Sequence, residues 1–235
     1  MTELLSLLFP RKCTVCGASM PGADSGEALC LDCRLKYDAI CNTACEKCGK
    51  KQSVCRCAVT SGADVQIHLF EFAGDFSRRL IYTFKRKNDV HLQKFFAHEC
   101  AKALDDALDV TNNIHEYNFS FVPRNPDSIR DFGFDQAKTL CRMVAARFGK
   151  KEICMFRHTK NRKTQKELPV NAREENAEQS YSAVKGAAAH GTVVIFDDVT
   201  TTGSTLARCT ALAKAMGAFR VVAVTIAVTP KKHIE

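Results

Sequence analysis

The stretch Val193-Val-Ile-Phe-Asp-Asp-Val-Thr-Thr-Thr-Gly-Ser-Thr205 decides how this chain folds. Its four leading apolar residues, rich in β-branched side chains, have the pattern of a strand buried on both faces in a parallel sheet. The strand ends in two acids, Asp197 and Asp198, and a run of Thr, Gly and Ser follows. From Leu206 an Ala- and Leu-bearing segment is expected to be a helix, with Ser204 as its N-cap and an end near Gly217. A strand, a tight polar loop and a helix N-terminus bring free backbone N–H groups to one point, which makes an anion site. The acidic pair adds a requirement. Two carboxylates beside an anion need sugar hydroxyls or a hydrated Mg²⁺ between them.

The flanking segments continue this alternation. Asp64–Phe72 alternates apolar and polar residues as a strand does. Asp75–Lys87 has helical spacing, with Phe76, Leu80, Ile81 and Phe84 on one face. Arg78, Arg79, Lys85, Arg86 and Lys87 make this helix basic, either as a solvated flank or as an attractor of phosphates. His91–Asp109 continues as a helix, with Leu92, Phe95, Phe96 and Leu104 inward. Asn118–Val122 is a second parallel strand, and the loop after it carries Arg124 and Asn125. Such a loop, at the carboxyl edge of a parallel sheet, is where ligands bind. Arg130–Gln136 opens a helix to Phe148, with Ala137, Leu140, Cys141, Val144, Ala145 and Phe148 facing the core. Cys100, Cys141, Cys154 and Cys209 are expected as small buried hydrophobes. Glu152–Phe156 is expected as another strand, and Arg220–Val228 as a buried strand beside the opening one. Strands alternating with helices imply a parallel sheet with right-handed crossovers.

The chain has 13 cysteines, and nine of them fall between Cys13 and Cys57. In a reducing compartment that density points to metal rather than disulfides. Cys13-x-x-Cys16 and Cys30-x-x-Cys33 supply two thiolate pairs, enough for one tetrahedral Zn²⁺. Cys45-x-x-Cys48 and Cys55-Arg-Cys57 offer a second set, with Cys41 nearby as a substitute ligand. Spacing leaves one or two zinc ions open, and leaves sequential or interleaved pairing open. A segment this short can hardly bury a core, so metal is expected to supply its folding free energy. Its role is either nucleic-acid contact or a structural clip on the main domain.

At 235 residues, 46% hydrophobic and 26% charged, the chain has the composition of a soluble globular protein. No apolar run approaches the roughly 20 residues of a membrane span. Met1–Pro10 carries an acid and no cationic leader, so a cytoplasmic location is expected, with Leu4, Leu5, Leu7 and Leu8 in a short docking helix. The net charge of +8 suits phosphorylated ligands and is compatible with nucleic acid.

Val193–Thr205 resembles the signature of type I phosphoribosyltransferases, which bind 5-phosphoribosyl-1-pyrophosphate (PRPP). The resemblance implies that Asp197 and Asp198 face the ribose hydroxyls, while Val199, Thr200, Thr201, Thr202, Gly203, Ser204 and Thr205 hold the 5′-phosphate. It also turns Arg124 and Asn125 toward the pyrophosphate. At Arg130, Gly133, Phe134, Gln136 and Ala137 the likeness narrows to the ComF family, cytoplasmic phosphoribosyltransferase-like proteins with a cysteine-rich N-terminus. Phe132 stands where that family has a second Arg, and Asp135 where it has Asn. Further on, Gln165, Leu168, Arg173 and Asn176 match, while Arg162 replaces a Thr. In the wider superfamily this basic segment is a mobile lid over PRPP. Arg157, Lys160, Arg162, Lys163 and Lys166 are its cations here, Lys163 being the candidate ligand contact.

The resemblance covers essentially the whole chain and implies an α/β fold. A zinc-binding head over residues 1–60 would precede a phosphoribosyltransferase-type parallel-sheet core over 61–235. Structural Zn²⁺ in the head and Mg²⁺ with PRPP are the implied cofactors. Asp197, Asp198 and Arg124 are the implied catalytic residues, and the DNA-uptake machinery of natural transformation the implied context. The acceptor is not legible: no general base or base-selective aromatic clamp stands out, and the head with residues 62–90 would have to form the hood. The alternative is a PRPP- or nucleotide-gated module that binds single-stranded DNA without turnover.

Overall fold

The computed structural model describes residues 10–22, 26–45, 48–52, 55, 57, 61–159 and 180–229. The expected Leu4–Leu8 helix, the residues from Lys160 to Lys166, and the tail from Pro230 lie outside them.

A four-stranded parallel sheet carries the body. After the head's short antiparallel pair β1 (Arg11–Lys12) and β2 (Ser19–Met20), its strands are β3 (Val65–Glu71), β4 (Tyr117–Phe121), β7 (Thr192–Thr200) and β8 (Arg220–Val228). They lie in the order β3-β8-β7-β4, with all neighbours parallel. Successive side chains on a strand point to opposite faces, and both faces here are covered. Val194, Phe196, Val222 and Val224 join the core that includes the helices α2 (Gly74–Arg86), α3 (Val90–Leu108) and α5 (Gln136–Arg147). Val193, Ile195, Val221 and Ala223 join the core of α6 (Ser204–Ala215), with Leu206, Cys209 and Ala213. The uninterrupted apolar run of β7 is therefore the mark of a strand with no wet face. The expected inward faces hold on α2, α3 and α5: Leu80, Ile81, Phe84, Leu92, Phe96, Leu104, Leu140 and Val144 are all buried.

Four local expectations are corrected. Glu152–Phe156 is not a strand of the main sheet; it makes one parallel bridge, Phe119 to Glu152. Pairing resumes only at β5 (Phe156–His158), antiparallel to β6 (Tyr181–Ala183), off the main sheet. The single helix from Arg130 is two, α4 (Pro126–Phe132) and α5. Asn125 caps α4 by accepting from Asp127 N, Gly133 ends it at φ 78°, and Asp135 caps α5 by accepting from Lys138 N. Cys100, Cys141 and Cys209 are buried as expected, but Cys154 is exposed, on the segment leading into β5. Ser204 does not cap α6. Gly203 takes the cap position at φ 83°, which pulls Ser204 into the first helical turn.

The cysteine-rich segment packs on this body through α1 (Leu31–Asn42). Tyr37 is 1% exposed and lies edge-on to Phe95 and Phe70, with ring centroids 4.8 and 6.0 Å away. Its hydroxyl donates to Glu99, which also pairs with Arg34 at 3.3 Å. Gln52 meets His68 of β3 at 3.2 Å. A segment with too little apolar surface for its own core thus shares the body's. No helix among the described residues is long and apolar enough to cross a membrane.

Gly191 leads into β7 at φ 63°, and a Cβ there would lie 2.5 Å from the Glu116 carbonyl oxygen. Gly191→Ala should therefore destabilise the fold by about 2 kcal/mol or more, the sum of left-handed strain and a backbone clash. Urea unfolding with an unchanged m-value checks this; a loss under about 0.5 kcal/mol would show that the entry to β7 can shift freely.

Candidate functional site

The first site is in the head. The sulfurs of Cys13, Cys16, Cys30 and Cys33 lie within 4.8 Å of one another, as do those of Cys45, Cys48, Cys55 and Cys57. Four thiolates around a zinc at about 2.3 Å have S···S edges of roughly 3.8 Å. Cys16 and Cys30 are 3.6 Å apart, and Cys48 and Cys55 are 3.7 Å apart, so both sets fit structural Zn²⁺. Pairing is sequential, not interleaved. The two leading knuckles have one backbone pattern. Cys13 N bonds Ala18 O and Gly17 N bonds Cys13 O, while Cys45 N bonds Lys50 O and Gly49 N bonds Cys45 O. Gly17 and Gly49, at φ 77° and 68°, close those turns. Cys57 completes the second set despite its one-residue spacing. Cys41 belongs to neither, and burial pushes its thiol up to about 12.

The second site is a cleft at the carboxyl end of β7. Its larger lobe, about 380 Å³, is lined by the Val199–Leu206 loop with His158, Ser180, Tyr181 and Asp197. The smaller, about 290 Å³, is lined by Lys85, Arg124, Asn125, Ser128, Asp135, Gln136, Asp197 and Asp198 among others. Tyr181, Asp197 and Thr205 line both, so the lobes meet at Asp197, with Asp198 in the smaller.

The main chain fixes the acids. Asp198 N donates to Asp197 Oδ1 at 2.8 Å, and Val199 N to Asp198 Oδ1 at 2.6 Å. Loss of solvent, and then the neighbouring Asp198 charge, push Asp197 up to about 8, opposed by Lys85. Asp198 Oδ2 instead faces the Lys85 ammonium at 3.2 Å. In the loop, the Thr202 and Ser204 hydroxyls are 2.9 Å apart. A glycine holds the cap position of α6, Ser204 N donates to Thr202 Oγ1 at 3.4 Å, and Ser204, Thr205 and Leu206 of the first turn line the larger lobe, the place where an anion site forms.

The Pro123–Pro126 loop arrives from β4. Arg124 N donates to Asp135 Oδ2 at 3.0 Å, and the Arg124 guanidinium donates to Gln136 Oε1. Gln136 Nε2 in turn donates to the Lys85 carbonyl at 2.6 Å. Three segments distant in sequence are thereby tied around the smaller lobe. Asn125 lines it too, although its side-chain oxygen is engaged as the α4 cap. Of the expected site residues, Asp197, Asp198, Arg124, Asn125 and Val199–Thr205 come together. Lys163, with Gln165, Leu168, Arg173 and Asn176, lies outside the described residues.

Sequence reasoning named Lys85 only as one of five basic residues on a helix that was either a solvated flank or an attractor of phosphates. Its helical phase held the signal, for it stands one turn after buried Ile81, while Arg78, Arg79, Arg86 and Lys87 are exposed. His158 and Tyr181, with rings 5.1 Å apart edge-on, carried no sequence signal at all. Burial lowers the His158 pKa and raises that of Tyr181.

Residues 4–62 match the double zinc ribbon domain family. The chain is also similar to the competence protein ComFC of Streptococcus pneumoniae (strain ATCC BAA-255 / R6). The two are 26% identical over 235 residues, covering 88% of this chain and 95% of that protein. The ComF resemblance thus extends over most of the chain, at modest identity.

Metal analysis of the purified chain should return two Zn²⁺ per molecule, reduced to one by Cys57→Ser and unchanged by Cys41→Ser. A zinc content indifferent to Cys57→Ser would overturn the second cluster.

Proposed function

We propose that this ComF-like chain binds PRPP with Mg²⁺ in the cleft at the end of β7 and transfers its phosphoribosyl group to an acceptor. One observation carries the reading: a single acidic pair joins a helix N-terminal loop on one side to a lobe with two cations on the other. The spacing of charges matches a ligand with a phosphate at one end, hydroxyls in the middle and a polyanion at the other.

In this reading Thr200–Thr205 hold the 5′-phosphate through backbone amides and hydroxyls. Asp197 and Asp198 accept from the ribose hydroxyls. Arg124 and Lys85 face the pyrophosphate. Mg²⁺, a hard cation suited to phosphate and carboxylate oxygens, would neutralise part of the leaving charge when bound. As the bond from the ribosyl carbon to pyrophosphate breaks, positive charge grows on the sugar and negative charge on the leaving group. Fixed carboxylates beside the first and fixed cations beside the second stabilise that separation without reorganising.

A second reading rests on α2. Arg78, Tyr82 and Arg86 stand at successive four-residue intervals on its exposed face. Tyr82 is 55% exposed, with the Arg86 guanidinium 5.8 Å from its ring centre. An exposed ring among cations suits a stacked base and its phosphates. The chain would then be a PRPP- or nucleotide-gated single-stranded DNA module without turnover, in keeping with the competence role in its relative's name and with DNA uptake.

Calorimetry with PRPP and Mg²⁺ should show binding that Asp198→Asn weakens at least about tenfold, the scale of a hydrogen bond to a charged group. The same variant should abolish turnover; persistence would sink the transferase reading. Asp197 carries a proton at pH 7 in the free site, because desolvation, Asp198 and Asp135 raise it against Lys85. Accepting from ribose hydroxyls or Mg²⁺ needs the anion. Affinity should therefore rise from pH 6 to 8 and level above about 8. Proton release on binding, read in two buffers of different ionisation enthalpy, checks the sign; proton uptake would contradict it.

For the second reading, a short single-stranded oligonucleotide should bind with affinity that falls steeply with salt. Tyr82→Ala should cost roughly 1–3 kcal/mol, the worth of one stacked base. An absence of salt-dependent binding would remove it.

A further inference from the structure

Lys85 stands one turn after buried Ile81, and the chain around it is held from two sides. From the body, Gln136 Nε2 donates to its carbonyl at 2.6 Å. From the other side comes the first zinc knuckle. Thr14 lies between the ligands Cys13 and Cys16 and is 9% exposed. Its hydroxyl donates to Asp89 Oδ2 at 3.1 Å. The other oxygen of Asp89 caps α3, accepting from His91 N at 2.9 Å and Leu92 N at 3.0 Å. Lys87 Nζ meets the Thr14 carbonyl at 3.5 Å, while Lys87 N closes the end of α2 on Thr83 O at 2.9 Å. The knuckle thus holds both ends of the turn from α2 to α3, and Lys85 stands two residues before that turn.

This anchoring matters because the ion pair alone is a poor one. Lys85 and Asp198 side chains are 35% and 20% exposed, and a lysine stem has about 2 kcal/mol of rotamer entropy to lose. A partly solvated pair cannot by itself fix a four-carbon stem. A backbone fixed at both flanks sets where that stem starts, and so which positions its ammonium can reach.

We infer that the first zinc knuckle is part of the ligand site: through Thr14 it fixes the α2–α3 turn and so holds Lys85 where its ammonium exchanges Asp198 for the pyrophosphate of the ligand. The inference rests on the PRPP reading and deepens it. Lys85 is the binding cation, and Thr14 and Lys87 are positioning residues. In the empty site the ammonium neutralises Asp198. When a pyrophosphate enters the smaller lobe, a denser negative charge takes its place beside the ammonium. Asp198 is then released toward the ribose hydroxyls. Zinc at Cys13, Cys16, Cys30 and Cys33 and affinity for the pyrophosphate end are consequently linked, each favouring the other.

The test compares two probes by calorimetry, PRPP with Mg²⁺ and ribose 5-phosphate, on the full chain. Lys85→Met should lose about tenfold in PRPP affinity and stay within about twofold for ribose 5-phosphate, since one charged contact of the pyrophosphate end alone is removed. Thr14→Val should keep both zinc ions and show the same selective loss, and Thr14→Ser, which restores the hydroxyl, should behave as the unaltered chain. Lys87→Met removes the second strut without touching the knuckle's hydroxyl and should shift PRPP affinity in the same direction. The double variant Thr14→Val/Lys85→Met should bind PRPP no more weakly than Lys85→Met alone, the mark of two residues acting through one contact. Undiminished PRPP affinity in Thr14→Val, or equal losses for both probes, overturns the inference and leaves the PRPP reading standing. An unaltered chain that binds neither probe removes that reading, and this inference with it.

Discussion

Two carboxylates side by side at the open end of a buried strand are the constraint to which the rest of the structure answers. β7 is walled by core on both faces, so Asp197 and Asp198 are the first residues along it that reach a cleft. Burial penalises a charge there, and the neighbouring acid adds to that penalty. Asp197 answers by holding its proton, and Asp198 by drawing the Lys85 ammonium across from α2. The backbone amides of Asp198 and Val199 take up one oxygen of each acid. In the PRPP reading the ligand's hydroxyls would replace that proton and that ammonium.

The head bears on the same point. Zinc in its two cysteine clusters would give it local order that its few apolar residues could not, and Tyr37 and Gln52 join it to α3 and β3. Tyr37 makes edge-on contacts of the kind worth about 0.5–1.5 kcal/mol each beyond area burial. A clip that only covered the sheet would need no contact with the α2–α3 turn. Thr14 makes one, beside the metal ligands, and that turn follows directly on the helix carrying Lys85.

What was legible in the sequence follows from how far each signal reaches. The Val193–Phe196 run fixed a strand buried on both sides, and Leu80, Ile81 and Phe84 fixed the inner face of α2, because burial repeats with the period of the element. The acid pair and its loop were legible because strand, loop and helix N-terminus are contiguous. The Glu152–Phe156 segment misled because a short apolar run does not say which sheet it joins; Tyr181–Ala183 captured its end. Ser204 misled because a glycine one residue earlier offers a left-handed turn that a cap assignment from residue type overlooks. His158 and Tyr181 were missed for a different reason. Their place in the cleft depends on packing between elements, and no local pattern records it.

The charges of the smaller lobe carry the argument one step further. Lys85 and Arg124 are the cations among its lining residues, against Asp135, Asp197 and Asp198. Asp135 is already engaged by the Arg124 amide and by the start of α5, and the Arg124 guanidinium is tied to Gln136. With Asp197 protonated, the lobe is close to neutral. A pyrophosphate entering such a lobe would meet too little positive charge to offset its own and its desolvation. In the PRPP reading a divalent cation bound with the ligand would supply the missing charge and would favour loss of the Asp197 proton. On that reading the proton on Asp197, the ammonium on Asp198 and the metal implied with the ligand would be three answers to one problem of charge, used in turn as the site fills.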